Sequence, residues 1–63
     1  MPINIGDLVR TRWAVSIDEV GIVLDVVETR DIVRAKVYYA SQAAAHVYLV
    51  DDLRAIKGEK IND

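Results

Sequence analysis

Cysteine is absent from this sequence, which removes both a disulfide framework and any thiolate metal site. Stability is therefore expected to come from packing, assisted by association with another chain. Only one histidine is present, so a transition-metal site fails on ligand count. No apolar run approaches the length of a membrane span, and the opening "MPINIGDLVR" lacks the basic, apolar and small-residue succession of a secretory signal. The expected location is cytoplasmic, with no membrane partner. Eight Lys and Arg against ten Asp and Glu give a formal charge of -2. No overall positive field draws the protein toward nucleic acid, and binding there would need a local patch. Glycine-rich phosphate loops, linkers, low-complexity tracts and internal repeats are also missing.

What remains is a short apolar chain. With 63 residues it forms one domain, and at this size only about 60% of the unfolded surface is buried, leaving little room for an enzyme cleft. Hydrophobic residues make up 52% and charged residues 29%, a globular composition rather than a disordered one.

The local patterns are those of strands. "NIGDLVRTRWAV" begins with the turn pair Gly6-Asp7 and places Val9, Thr11, Trp13 and Val15 at alternate positions, which predicts a first strand. "SIDE" offers Ser16 and Asp18 for a turn before Val20. A second strand is expected from Val20 to about Thr29. Helical spacing of Val20, Val23, Leu24 and Val27 competes, but Val20, Ile22, Val23, Val26, Val27 and Thr29 are β-branched and Gly21 weakens a helix further. "IVRAKVYYA" supplies a third strand with Val33, Ala35, Val37 and Tyr39 inward. Pairing these with Val20, Ile22, Leu24 and Val26 through a turn at Arg30-Asp31 sets Val26 opposite Ala35, Leu24 opposite Val37, Ile22 opposite Tyr39 and, on the reverse side, Asp25 opposite Lys36 and Val23 opposite Tyr38.

Residues 41–57 admit two readings. Ser41, Ala43 to Ala45, Leu49, Leu53, Ile56 and Gly58 suit a capped helix. "HVYLV" has strand character, and the preferred reading is a fourth strand from His46 to Val50, a short helical turn at Asp51-Asp52-Leu53 with Leu53 plugging the core, and "RAI" as a fifth strand against the first. A tail is expected over 58–63, outside a core of about 5–57.

Gly6-Asp7-Leu8-Val9, Val20-Gly21-Ile22-Val23, a strand ending in paired tyrosines and Asp52-Leu53 before a short last strand resemble the small SH3-like barrels. Related layouts occur in KOW domains, in a small photosystem I subunit and in barrels encoded by tailed phages, the last being closest in type because they are stand-alone and equally short. The resemblance implies an all-β, five-stranded antiparallel SH3-like barrel acting as an interaction module, and it adds a virion-associated setting. The acidic aromatic groove of peptide-binding SH3 domains is missing, and "IDEVGIV" is more acidic than the corresponding loop of RNA-binding KOW domains.

Candidate functional residues follow from the aromatics and arginines. Trp13 beside Arg10 and Arg12 suits stacking on a base or a partner side chain, or else caps an open barrel end. Tyr38 and Tyr48 would stand side by side on the outer face if the third and fourth strands pair with an even sum, as the centre of an interface or as ordinary cross-strand packing. A cation cage would need a third aromatic wall. Asp18-Glu19 and Asp51-Asp52 read as solvated turns, and Ser16, His46 and the aspartates form no recognisable triad. The chain is accordingly expected to be non-enzymatic, with no cofactor.

Its second strand is apolar on both sides. Bending of a long strand hides part of that surface, yet Val23, Val27, Ile32, Tyr38, Tyr48 and Val50 exceed what bending covers, so the expected partner is a second copy or another protein. The expected interaction surface comprises Trp13, Tyr38, Tyr48, Val23, Arg10 and Arg12. The alternative is a nucleic-acid-associated barrel using Arg10, Arg12, Arg34 and Lys36.

Overall fold

A computed structural model describes residues 3–16 and 18–56; the tail expected over 58–63 lies outside the described residues. The chain is all-β. Strands β1 (Leu8–Thr11), β2 (Gly21–Thr29), β3 (Ile32–Tyr39) and β4 (Ala44–Leu49) lead into one turn of 3-10 helix (Val50–Asp52) and a last strand β5 (Leu53–Ala55). All pairings are antiparallel in one sheet of order β4-β3-β2-β1-β5. The strand reading of residues 41–57 therefore holds over the helical one, with the short helical turn beginning at Val50 and Leu53 buried as expected.

Strand β1 is shorter than the alternation of Val9, Thr11, Trp13 and Val15 predicts. Beyond Thr11 the backbone leaves the sheet: Arg12 N donates to the Asp52 carbonyl (2.8 Å), and Ala14 N folds back onto the Thr11 carbonyl (3.1 Å). Ser16 makes the expected turn, its Oγ accepting from Asp18 N at 3.1 Å and its carbonyl accepting from Glu19 N, local bonds that divert the chain from an extended path. The Gly6-Asp7 turn also forms. Gly6 sits at φ 93°, the left-handed region that glycine enters without a Cβ penalty, and its N–H donates to the Val23 carbonyl at 2.8 Å.

The β2–β3 register corrects the sequence reading in one half. From Thr29↔Ile32 through Asp25↔Lys36 the pairs follow the expected alignment, but a bulge at Leu24 shifts the rest to Val23↔Val37 and Ile22↔Tyr38. An extra residue on one strand changes which side chains point inward. Upstream of the bulge the odd-numbered Gly21 and Val23 face the core; downstream the even-numbered Val26 packs against it. Val23, expected on the interaction surface, is thus only 1% exposed and belongs to the core, whereas Ile22 and Leu24 face outward.

Val9, Val23 and Val37 are the fully enclosed centre, completed by Ile3, Ala35, Tyr39, Val50 and Leu53. Each such aliphatic side chain contributes about 1.5–3 kcal/mol by leaving water. Ile3 lies upstream of the expected core limit at residue 5, and Val50, expected outside, is buried. Gly21 allows the core to close on the β2 backbone, since a Cβ there would collide with Val37 Cγ1. The sheet is curled. Trp13, just after β1, has its ring centroid 6.2 Å from that of Tyr48 on β4, although a flat sheet would hold β1 and β4 about 14 Å apart.

Candidate functional site

The pairings define an outer face row by row. Leu8 lies opposite Ile22, Ile22 opposite Tyr38 and Tyr38 opposite Ala45, giving an uncharged row across β1, β2, β3 and β4. The next row carries Asp25, Lys36 and Val47, with the bulged Leu24 beside Asp25; the row after that carries Val27, Arg34 and Leu49. Leu8 (49% exposed), Ile22, Leu24, Val27, Tyr38, Val47 (61% exposed) and Leu49 are all solvent-exposed. Isolated apolar side chains on a surface are ordinary; an apolar set shared by four neighbouring strands is less so.

Charges on this face are few and of both signs. Asp25 and Lys36 are directly opposed, as the sequence predicts. They form no ion pair with each other, and the Asp25 carboxylate accepts from its neighbour Val26 N at 2.9 Å. Among the described residues the ion pair present is Arg12–Asp52 (2.8 Å).

Tyr38 and Tyr48 do not meet. Strands β3 and β4 pair with an odd sum, Ala35↔Tyr48 and Tyr38↔Ala45, so the two tyrosines point to opposite sides of the sheet. Tyr38 stays on the outer face, while half-buried Tyr48 joins an inner aromatic group. Its ring lies 6.2 Å from Trp13, 6.2 Å from Tyr39 and 6.3 Å from His46. These tilted and edge-to-face contacts fill the space between the rings with the rings themselves. His46 donates from Nε2 to Gln42 Oε1 (3.1 Å). Burial, then the adjacent Tyr48 hydroxyl and the Glu19 charge, push the Tyr39 phenol up to about 12, so it is neutral at physiological pH.

Trp13 is 55% exposed, with the Arg12 guanidinium carbon 5.9 Å from its ring centroid. Arg12 is also held by Asp52, which offsets its charge. Arg10 stands on β1 directly opposite Arg54 of β5, and its buried Nε has no hydrogen-bond partner among the described residues. Of the other two basic residues of the nucleic-acid reading, Arg34 and Lys36 both lie on β3, which β2 separates from β1. Among the described residues no group of three or more His, Asp or Glu side chains is placed to hold a metal ion, and no helix is long and apolar enough to cross a membrane.

Sequence reasoning placed Tyr38, Val27 and Ile32 on the outer face, where all three are exposed, but missed Leu8, Ile22, Leu24, Val47 and Leu49. Val47 and Leu49 follow once the β3–β4 register is known, and Ile22 and Leu24 follow from the bulge. Comparison with known proteins adds no identification: no protein-family model matches the chain, and neither the curated proteins nor the solved structures gave a match.

Proposed function

We propose that this chain is a non-enzymatic protein-interaction module of the small SH3-like barrel type that engages its partner through the outer face of the sheet. The observation that carries the reading is the uncharged row Leu8, Ile22, Tyr38 and Ala45, flanked by exposed Leu24, Val27, Val47 and Leu49. Barrel character is supported by the long second strand that changes its inward side at Leu24, by the 3-10 turn before β5, and by the approach of Trp13 to Tyr48. A nucleic-acid-associated role is the second reading, favoured by exposed Trp13 with a guanidinium against its ring and opposed by the net charge of -2.

A photoactivatable crosslinker introduced at Val47, with Val15 in the β1–β2 loop as control, tests this in the producing cell. Protein adducts are expected from position 47 and not from position 15. Absence of protein adducts at 47 overturns the interaction reading. Nucleic-acid adducts from a crosslinker at Trp13, lost as salt is raised, would establish the second reading instead.

A further inference from the structure

The outer face has an internal symmetry in its chemistry. Across β2 and β3 its rows run Ile22–Tyr38, Asp25–Lys36 and Val27–Arg34, with Leu8 and Ala45 at the flanks of the first. A twofold axis running along the strands between β2 and β3 exchanges these columns. One chain's Ile22 then lies over Tyr38 of the second copy, Leu8 over Ala45, and Asp25 over Lys36, each contact occurring twice. Among the described residues neither Asp25 nor Lys36 makes an ion pair within its own chain, so each charge can answer its counterpart across the axis. Turning the axis across the strands would instead set Asp25 over Asp25 and Lys36 over Lys36, a like-charge arrangement that opposes association.

Building on the interaction reading, we propose that the occupant of this face is a second copy of the chain, packed sheet on sheet about that axis. Stacked sheets lie about 10 Å apart, a gap that aspartate and lysine side chains span together. Four strands and the rows from Ile22 to Val27 cover about 19 by 20 Å. With side-chain relief, two such faces bury roughly 1,000 Å², the lower limit of a specific interface. A twofold contact is isologous and closes on itself, so the product is a dimer and not a fibre.

Sedimentation velocity on the full chain tests this, with dissociation expected at roughly micromolar to tens of micromolar concentrations. Asp25→Lys and Lys36→Asp should each weaken the dimer at least about tenfold. An equimolar mixture of the two variants should recover dimer, because each places opposite charges against the other across the axis. Both variants keep like charges opposed within their own chain, so recovery on mixing reports the contact between copies. A chain that stays monomeric to about 500 µM, or a mixture no tighter than its separate components, overturns the proposal. If either reversal unfolds the chain, Ile22→Cys mixed with Tyr38→Cys gives the same decision with a thiol-specific bifunctional crosslinker of about 10 Å reach, since a disulfide is too short for that gap: a mixed 22-to-38 product in excess of both like-with-like products supports the axis, and its absence rejects it. A monomeric chain that still yields adducts with a different protein from position 47 rejects the second copy while leaving the interaction module standing.

Discussion

Gly21→Ala adds one methyl group at the point where β2, β3 and the core meet. The new Cβ would collide with Val37 Cγ1 and stand 2.9 Å from Tyr39 Cε1 and 3.1 Å from the Tyr38 carbonyl oxygen, where carbon atoms ordinarily rest about 3.5–4.0 Å apart. None of the three can yield easily. Val37 is fully enclosed and stiff at χ1, Tyr39 is buried, and the third atom is backbone. Overpacking of this kind costs about 1–3 kcal/mol, and the number of immobile neighbours places Gly21→Ala near 3 kcal/mol. A domain of this length has a total stability of roughly 3–9 kcal/mol. The loss would lower Tm by roughly 20–25 °C. Gly6→Ala is the matched control: a Cβ there meets nothing within 4 Å, and only the left-handed backbone, worth about 1–2 kcal/mol, is disturbed. Urea titrations of both variants with an unchanged m-value measure the difference. The reasoning fails if Gly21→Ala is no more destabilising than Gly6→Ala.

Alkaline pH should act through Tyr39. Its folded pKa of about 12 against an ordinary 10.0 means that the unfolded chain releases the proton first, so stability is full below pH 10 and falls by about 2–3 kcal/mol as pH rises to 12; Tyr39→Phe should remove that slope in denaturant titrations across this range. Ala43 holds a φ of 51°, and Ala43→Gly should stabilise the β3–β4 turn by about 0.5–1 kcal/mol in thermal melts by relieving the left-handed strain. Arg12→Ala breaks the ion pair with Asp52, where the arginine side chain is largely exposed. The expected loss is at most about 1 kcal/mol and shrinks in high salt, and a larger, salt-independent loss would disprove a surface pair.

Strand identity was legible in the sequence because β-branched residues dominate it, and the β2–β3 alignment near the turn was legible because Asp25–Lys36 and Val26–Ala35 fit only one pairing. The bulge at Leu24 was not. Its driving force is the requirement that both Gly21 and Val26 point toward one core, which no periodicity within β2 reveals and which depends on β1 pairing Val9 with Gly21. The fate of the tyrosines was equally hidden. Tyr38 and Tyr48 looked alike as exposed strand aromatics, and the β3–β4 register, in which Tyr48 lies three residues beyond Ala45, the partner of Tyr38, decides which becomes surface and which packs under Trp13. Leu53 was readable, since a lone leucine after two aspartates has nowhere favourable to go except inward.

The kink of one residue at Leu24 makes β2 a strand in which length is counted by parity. Losing Leu24 itself would remove the extra residue and leave each surviving side chain on its proper side, since Val23 opposite Val37 and Asp25 opposite Lys36 would then follow plain alternation, whereas losing a second residue as well would exchange the wet and dry sides of everything upstream of it. Descendants of this chain that are shorter here are therefore expected to lack one residue, at the kink.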